Sequence, residues 1–199
     1  MRWIFIILFA TASICHPYTI PHSHNGFITV PASIQYSSPS ILGEIFNGSN
    51  YRREWETPVS MPVFDLKKTN LKIVKMGGGL QTISVDLVDD KNREWALRSV
   101  DKNVHSLKKY QQNIFIHSLI QDNISGSYPY AGLSVPDIAE AAGVPTGEQY
   151  LYFVPDDSAF GNYRSAVANK VFILVNNQLQ PEKAITTTAM LEKLKGWQF

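Results

Sequence analysis

The sequence predicts an α+β domain, built on a mostly antiparallel sheet with helices packed on one side. Three observations point there. Residues 71–100 hold three short runs that alternate apolar and polar side chains, divided by a glycine turn and a polar turn. Two further runs, 149–154 and 170–175, are apolar and of strand length. The segments 106–125, 135–142 and 186–194 instead carry apolar residues at helical spacing.

Taken in chain order, Ile41, Leu42, Ile45 and Phe46 fit one helical face, and Gly48 ends that helix. Val59 to Leu66 reads as an extended apolar stretch between Pro58 and a basic pair. Leu71 to Met76 alternates apolar residues with Lys until Gly77-Gly78-Gly79 breaks the run. Ile83, Val85 and Leu87 alternate with Ser84, Asp86 and Val88, as a half-buried strand requires. Asp89 to Asn92 forms the next turn from turn-forming polar residues, and Glu94 to Val100 returns as the third strand. In the helix over 106–125, Leu107, Tyr110, Ile114, Phe115, Leu119 and Ile120 share a face. Ser134 caps the next helix, Pro136 sits in its first turn and Gly143 stops it. The run KVFILV at 170–175 is apolar at every position after Lys170, which predicts a central strand buried on both faces.

The N-terminus has the pattern of an export leader over residues 1–12. Arg2 is basic, Trp3 to Ala10 is unbroken apolar, and Ala10-Thr11-Ala12 supplies small residues for cleavage. That run is shorter than the roughly 20 residues a membrane helix needs, and no later stretch is apolar enough to be one. Residues 13–40, interrupted by Pro, Ser and His, read as an extended linker ahead of a single domain over 41–199. Cys15 is the only cysteine, so a disulfide within the chain is excluded. Its place after the apolar run suggests a lipid anchor, although Ile14 stands where a lipoprotein signal wants a small residue.

Several function classes drop out. The net charge is +1, with 18 Lys and Arg against 17 Asp and Glu, so nucleic acid is not the expected partner. No Gly-x-Ser-x-Gly elbow supports a hydrolase triad, and no Cys pair or His-Glu-x-x-His motif supports a zinc enzyme. His22 and His24 share a face in extended chain, but no carboxylate or Cys stands near them, so they read as linker histidines.

The segment with chemical potential is the triple glycine. Gly77, Gly78 and Gly79 let the backbone approach a ligand, and their N–H groups suit phosphate. Gln81, Thr82 and Ser84 add donors, and the return strand offers Arg98, with Lys102 just beyond it as the alternative cation. Asp122, on the following helix, is the acid expected to pair that cation. This order resembles the small lobe of kinase-like phosphotransferases, with ATP and Mg²⁺ as the implied ligands. The bland alternative is a tight hairpin whose glycines serve only the turn.

A second resemblance covers roughly residues 30–195. Tyr51-Arg52-Arg53-Glu54-Trp55 with Pro58-Val59, Gly77-Gly78-Gly79-Leu80-Gln81-Thr82, Leu97-Arg98-Ser99-Val100-Asp101-Lys102, Gln121-Asp122 with Tyr128-Pro129-Tyr130-Ala131, and Val154-Pro155-Asp156 follow in order. They resemble the soluble region that precedes a BamA-like outer-membrane barrel in an exported family of Bacteroidota, the surface-antigen-like proteins. The resemblance implies a periplasmic or outer-membrane-associated domain with a barrel or another envelope protein as partner. In longer relatives of that family a downstream region resembles kinase catalytic and metal-binding loops. The chain given ends at Phe199, before any such segment. The expectation is therefore a binding or interaction domain that requires no cofactor and is non-catalytic by itself, or the product of a truncated or split gene.

Overall fold

The computed structural model describes residues 26–39, 41–78, 82–102 and 114–176. The leader, Cys15, His22 and His24, Gly79, Gln81, the start of the 106–125 helix and the 186–194 helix lie outside the described residues. The described chain is a mixed α+β fold of two antiparallel sheets with short helices packed alongside.

Strand β1 (Phe27–Val30) pairs antiparallel with β2 (Val59–Pro62). Between them lie α1 (Ile41–Asn47) and α2 (Arg52–Glu56). The sequence places 27–39 in a linker, and the structure corrects this. Ile28, Val30, Ala32 and Tyr36 are all buried. Pro and Ser exclude a helix here, but Phe-Ile-Thr-Val keeps the two-residue period of a strand, and its alternate residues, Ile28 and Val30, point into the core.

The main sheet has five strands: β3 (Lys72–Gly77), β4 (Ser84–Val88), β5 (Glu94–Ser99), β6 (Gln149–Val154) and β7 (Lys170–Asn176). Their spatial order is β3-β4-β5-β7-β6, and every pair is antiparallel. The expected three-strand meander is present. A bulge between Ile73 and Lys75 leaves Val74 out of register and exposed. Helices α3 (Ile114–Asp122) and α4 (Val135–Ala141) fill the connection from β5 to β6, and α5 (Arg164–Val167) that from β6 to β7. The expected Ser134 cap makes no side-chain hydrogen bond, because Ser134 already belongs to a 3-10 turn, Ala131–Ser134, that runs into α4.

Around β6, β7 and the end of β5 the sheet is covered on both faces, not one. On one face Val85, Leu87, Leu97, Phe172, Leu174 and Val154 pack with Phe64, Leu66, Phe160 and Val167. On the other, Val171, Phe153 and Val100 pack with Ile28, Val30, Met61, Tyr36, Trp55, Ile124 and Tyr130. Strand β7 divides these cores: Phe172 and Leu174 face one, Val171 the other. A strand apolar on both sides needs two covering layers, so helices on a single side could not bury it. The β1–β2 ribbon reaches the β6 edge through a parallel bridge, Val63 to Phe153, with the Phe64 N–H donating to the Phe153 carbonyl at 2.8 Å.

Candidate functional site

Two polar clusters and one cleft gather on the face that carries Trp55. The first cluster is an ion pair. Arg52 and Trp55 stand three residues apart on α2, so both turn inward. The Arg52 guanidinium donates to both oxygens of Asp122, at 2.7 and 2.8 Å, and to the carbonyls of Gly48 and Tyr36, both at 3.1 Å. Asn47 Nδ2 donates to the same carboxylate at 2.9 Å. Hydrogen bonding from Arg52 holds the Asp122 carboxyl below its usual range, against the effect of burial. The second cluster centres on Tyr36, whose hydroxyl donates to Asp101 at 2.6 Å and accepts from Gln121 Nε2 at 3.0 Å. Gln35 Nε2 donates to both Asp101 oxygens at 2.9 Å. Burial pushes the Asp101 carboxyl up and, together with the Asp101 charge, pushes the Tyr36 phenol up as well. These groups hold residues 33–37, α2, the end of β5 and α3 together.

The residues singled out from sequence are only partly brought together. Gly77, Ser84 and Arg98 stand in one register row across β3, β4 and β5. Directly paired residues share a face, so Arg98 rises on the face of Gly77, two strands or about 10 Å away. Arg98 is exposed and makes no ion pair among the described residues. Gly78 has φ +142°, and a Cβ there would collide with the Thr82 carbonyl oxygen, so this position needs glycine for the turn itself. Asp86 Oδ2 is 3.8 Å from where a Cβ of Gly77 would stand, and Lys75 Nζ is 3.8 Å from that same oxygen. A carboxylate therefore borders the glycine turn. Asp122 does not serve Arg98 or Lys102: its carboxylate is taken by Arg52. Lys102 contributes its backbone carbonyl to the Tyr36 cluster, accepting from Gln121 at 2.8 Å.

The cleft takes two of the aromatics that the sequence offers as a ligand surface or as packing, Tyr128 and Tyr130, and adds walls that the sequence does not bring together. It measures about 430 Å³ and is lined by Arg53, Glu54, Thr57, Val59, Tyr128, Tyr130, Leu133 and Leu151. The helix α2 builds one wall: between the buried Arg52 and Trp55, Arg53 is exposed and Glu54 half-buried, and both border the cleft. The opposite wall is aromatic. Tyr51 meets Tyr128 edge to face at 5.6 Å, and Tyr128 meets Tyr130 likewise at 6.0 Å. Tyr128 is 43% exposed, so its ring is open to a ligand. Tyr130 is 9% exposed, and its hydroxyl has no hydrogen-bond partner among the described residues. Burial raises the Tyr130 phenol to about 12. Neither the Arg53 nor the Glu54 side chain is engaged with another described residue. The sequence signal for this wall is the aromatic set Tyr128, Tyr130, Tyr150, Tyr152 and Phe153, which reads as core and strand packing before it reads as a ligand surface.

A second cleft, bounded by Phe64, Asp65, Pro155, Asp156, Asp157 and Arg164, is rich in carboxylates, but each has a cation. Asp156 pairs Arg164 at 2.6 Å, Asp157 pairs Lys67 at 3.5 Å and Asp65 pairs Lys68 at 3.1 Å. Among the described residues no group of His, Cys, Asp and Glu is arranged to hold a metal, and no helix is long and apolar enough to cross a membrane. Compared with protein-family models, with curated proteins and with solved structures, the chain matches none.

Proposed function

We propose that this chain is an exported, envelope-associated binding domain, non-catalytic by itself, whose ligand sits in the cleft between α2 and the Tyr128–Leu133 segment. The observation that carries the reading is the lining of that cleft. It combines an apolar floor, an open aromatic ring and two charged side chains that the fold leaves unengaged. Small-ligand sites have this composition and a volume of roughly 300–1,000 Å³. Two of the segments that carry the surface-antigen resemblance, 51–55 and 128–131, meet here. Export rests on the leader pattern of residues 1–12, and attachment to an outer-membrane barrel or another envelope protein rests on the resemblance alone.

The reading is tested by screening the purified chain against a fragment library by NMR. Hits should shift resonances of Tyr128, Leu133 and Leu151 together, and Tyr128→Ala should abolish them. Hits scattered over the surface would defeat the reading. Fractionation of expressing cells tests export, with recovery in the cytoplasm as the adverse result.

A second reading has one observation in its favour, the row Gly77, Ser84, Arg98 on one sheet face. Its kinase-like character rests on the resemblance of the sequence order alone. The chain would then bind a nucleotide or phosphate there, with Arg98 as cation. Asp86 beside the turn and the commitment of Asp122 to Arg52 weigh against it. ATP with Mg²⁺ at a hundredfold excess over its dissociation constant should add about 2.7 kcal/mol of stability. Absence of that gain, or its persistence in Arg98→Ala and Lys102→Ala, removes the reading. A lipid anchor at Cys15 is the remaining proposal, read by mass spectrometry of the membrane fraction and lost in Cys15→Ser.

A further inference from the structure

We infer that the ligand of the α2 cleft is a neutral saccharide unit, held by the exposed part of the Tyr128 ring and by the Arg53 and Glu54 side chains. This deepens the binding-domain reading and rests on it. The argument begins with charge. Arg53 and Glu54 are adjacent in sequence and both line the cleft, yet neither is spent on a partner in the described chain. Together they add no net charge, so the site favours neither an anion nor a cation. What they offer is one strong donor set and one strong acceptor set. A hydroxyl both donates and accepts, and a ring bearing adjacent hydroxyls can satisfy a guanidinium and a carboxylate at once.

The rest of the lining fits the other side of such a ring. Saccharide rings expose patches of C–H between their hydroxyls, and these pack on aromatic faces and aliphatic floors. Tyr128 is half-exposed at the cleft, its ring steadied by T-shaped contacts to Tyr51 and Tyr130. Val59, Leu133 and Leu151 supply the aliphatic floor. At about 430 Å³ the cleft has room for one or two rings. The Tyr130 hydroxyl, buried and without a hydrogen-bond partner among the described residues, adds a polar group to this wall.

The test uses the full chain and neutral oligosaccharides of glucose and of N-acetylglucosamine, followed by saturation-transfer NMR. At sugar concentrations up to about 10 mM, ring C–H protons should receive saturation and the signal should titrate to a plateau. Arg53→Ala and Tyr128→Ala should each weaken binding about tenfold or more, the size expected of a residue that anchors a ligand. Arg53 is exposed and unengaged, so the Arg53→Ala midpoint should stay close to the parent's and its loss of binding is not a loss of fold; Tyr128→Ala also loses two ring contacts and is read below its own midpoint. Glu54→Gln, which keeps the acceptor and removes the charge, should weaken binding less than Glu54→Ala. No saturation with any neutral sugar, or saturation indifferent to Arg53→Ala and Tyr128→Ala, overturns the inference. If the sugars fail while library fragments still bind at Tyr128, the saccharide inference falls and the binding reading stands. If neither binds, both fall.

Discussion

Arg52 and Asp122 show how a single pair can decide the fate of a surface. The pair is largely withdrawn from water, with side chains 9% and 16% exposed, and each guanidinium nitrogen of Arg52 donates to a carboxylate or a carbonyl. Replacing Arg52 by Met leaves Asp122 beside Asn47 alone. The expected loss is about 3 kcal/mol in urea unfolding, because an uncompensated carboxylate stays behind. The double variant Arg52→Met with Asp122→Leu should lose less than the two single losses added together. Acid unfolding follows from the same kind of accounting. Burial acts most strongly on Asp89 and would raise it. The Arg93 N–H and guanidinium, the Lys91 N–H and the Trp95 indole together outweigh burial and hold the carboxyl at about 2. Asp89 and Asp122 therefore contribute stability that is complete above the unfolded value of about 3.9 and is lost as pH falls through the folded values. Asp101 acts in the opposite sense. Its carboxyl is raised, so its contribution is complete below about 3.9 and is lost as pH rises through its folded value. The urea midpoint should thus drop between about pH 4 and pH 2, and Asp89→Asn should flatten the drop. Asp101→Asn should gain on the parent from acid to neutral pH. Charge counts in the sequence carried none of this, since they do not say which groups meet: the partners of Asp122 lie 70 and 75 residues away, those of Asp89 within six.

At the scale of elements, the sequence was most legible where one period ran unbroken. The meander β3–β4–β5 and the strands β6 and β7 were all readable from alternation or from continuous apolar runs. Two kinds of feature were not. Strand β1 was hidden because only four residues carry its pattern, among prolines and serines that usually mark a linker. The cleft was hidden because its walls come from α2 and from residues 128–133, which only packing brings together. Arg53 and Glu54 could not be told from Arg52 without knowing which side of a five-residue helix is buried. The glycine turn was legible as a turn and less so as a site, and adjacent substitutions separate the two. Gly78→Ala places a Cβ against the Thr82 carbonyl at φ +142° and should cost about 1–3 kcal/mol. Gly77→Ala meets only an ordinary contact with Asp86 and should stay within about 1 kcal/mol of the parent. Chemical denaturation of the pair reads the difference. Equal losses would mean that the turn is not closed by Gly78.

At the scale of the whole molecule, the two cores depend on one strand and on an N-terminal segment that looks dispensable in the sequence. Four of the eleven buried residues in the Trp55 core come from residues 28–36: Ile28, Val30, Ala32 and Tyr36. Full burial of a Val or Ile contributes about 1.5–3 kcal/mol each. Tyr36 adds its ring against Trp55 at 4.9 Å and a hydroxyl shared by Asp101 and Gln121. Strand β1 is also the pairing partner of β2, so its loss strips the β2 backbone of hydrogen bonds and uncovers Met61. Set against a total stability of roughly 5–15 kcal/mol, these losses together exceed what a domain of this size can lose and remain folded. A chain shortened to begin at Ile41, where the sequence alone would place the domain boundary, should therefore lack a cooperative thermal transition and bind a hydrophobic dye. Supplying a peptide of residues 26–39 in trans should restore part of the transition, because the groove it fills is defined by Trp55, Met61 and Val100. A cooperative transition at the parent's midpoint without residues 26–39 would show that the five-stranded sheet and its other core suffice, and that the ribbon is an appendage after all.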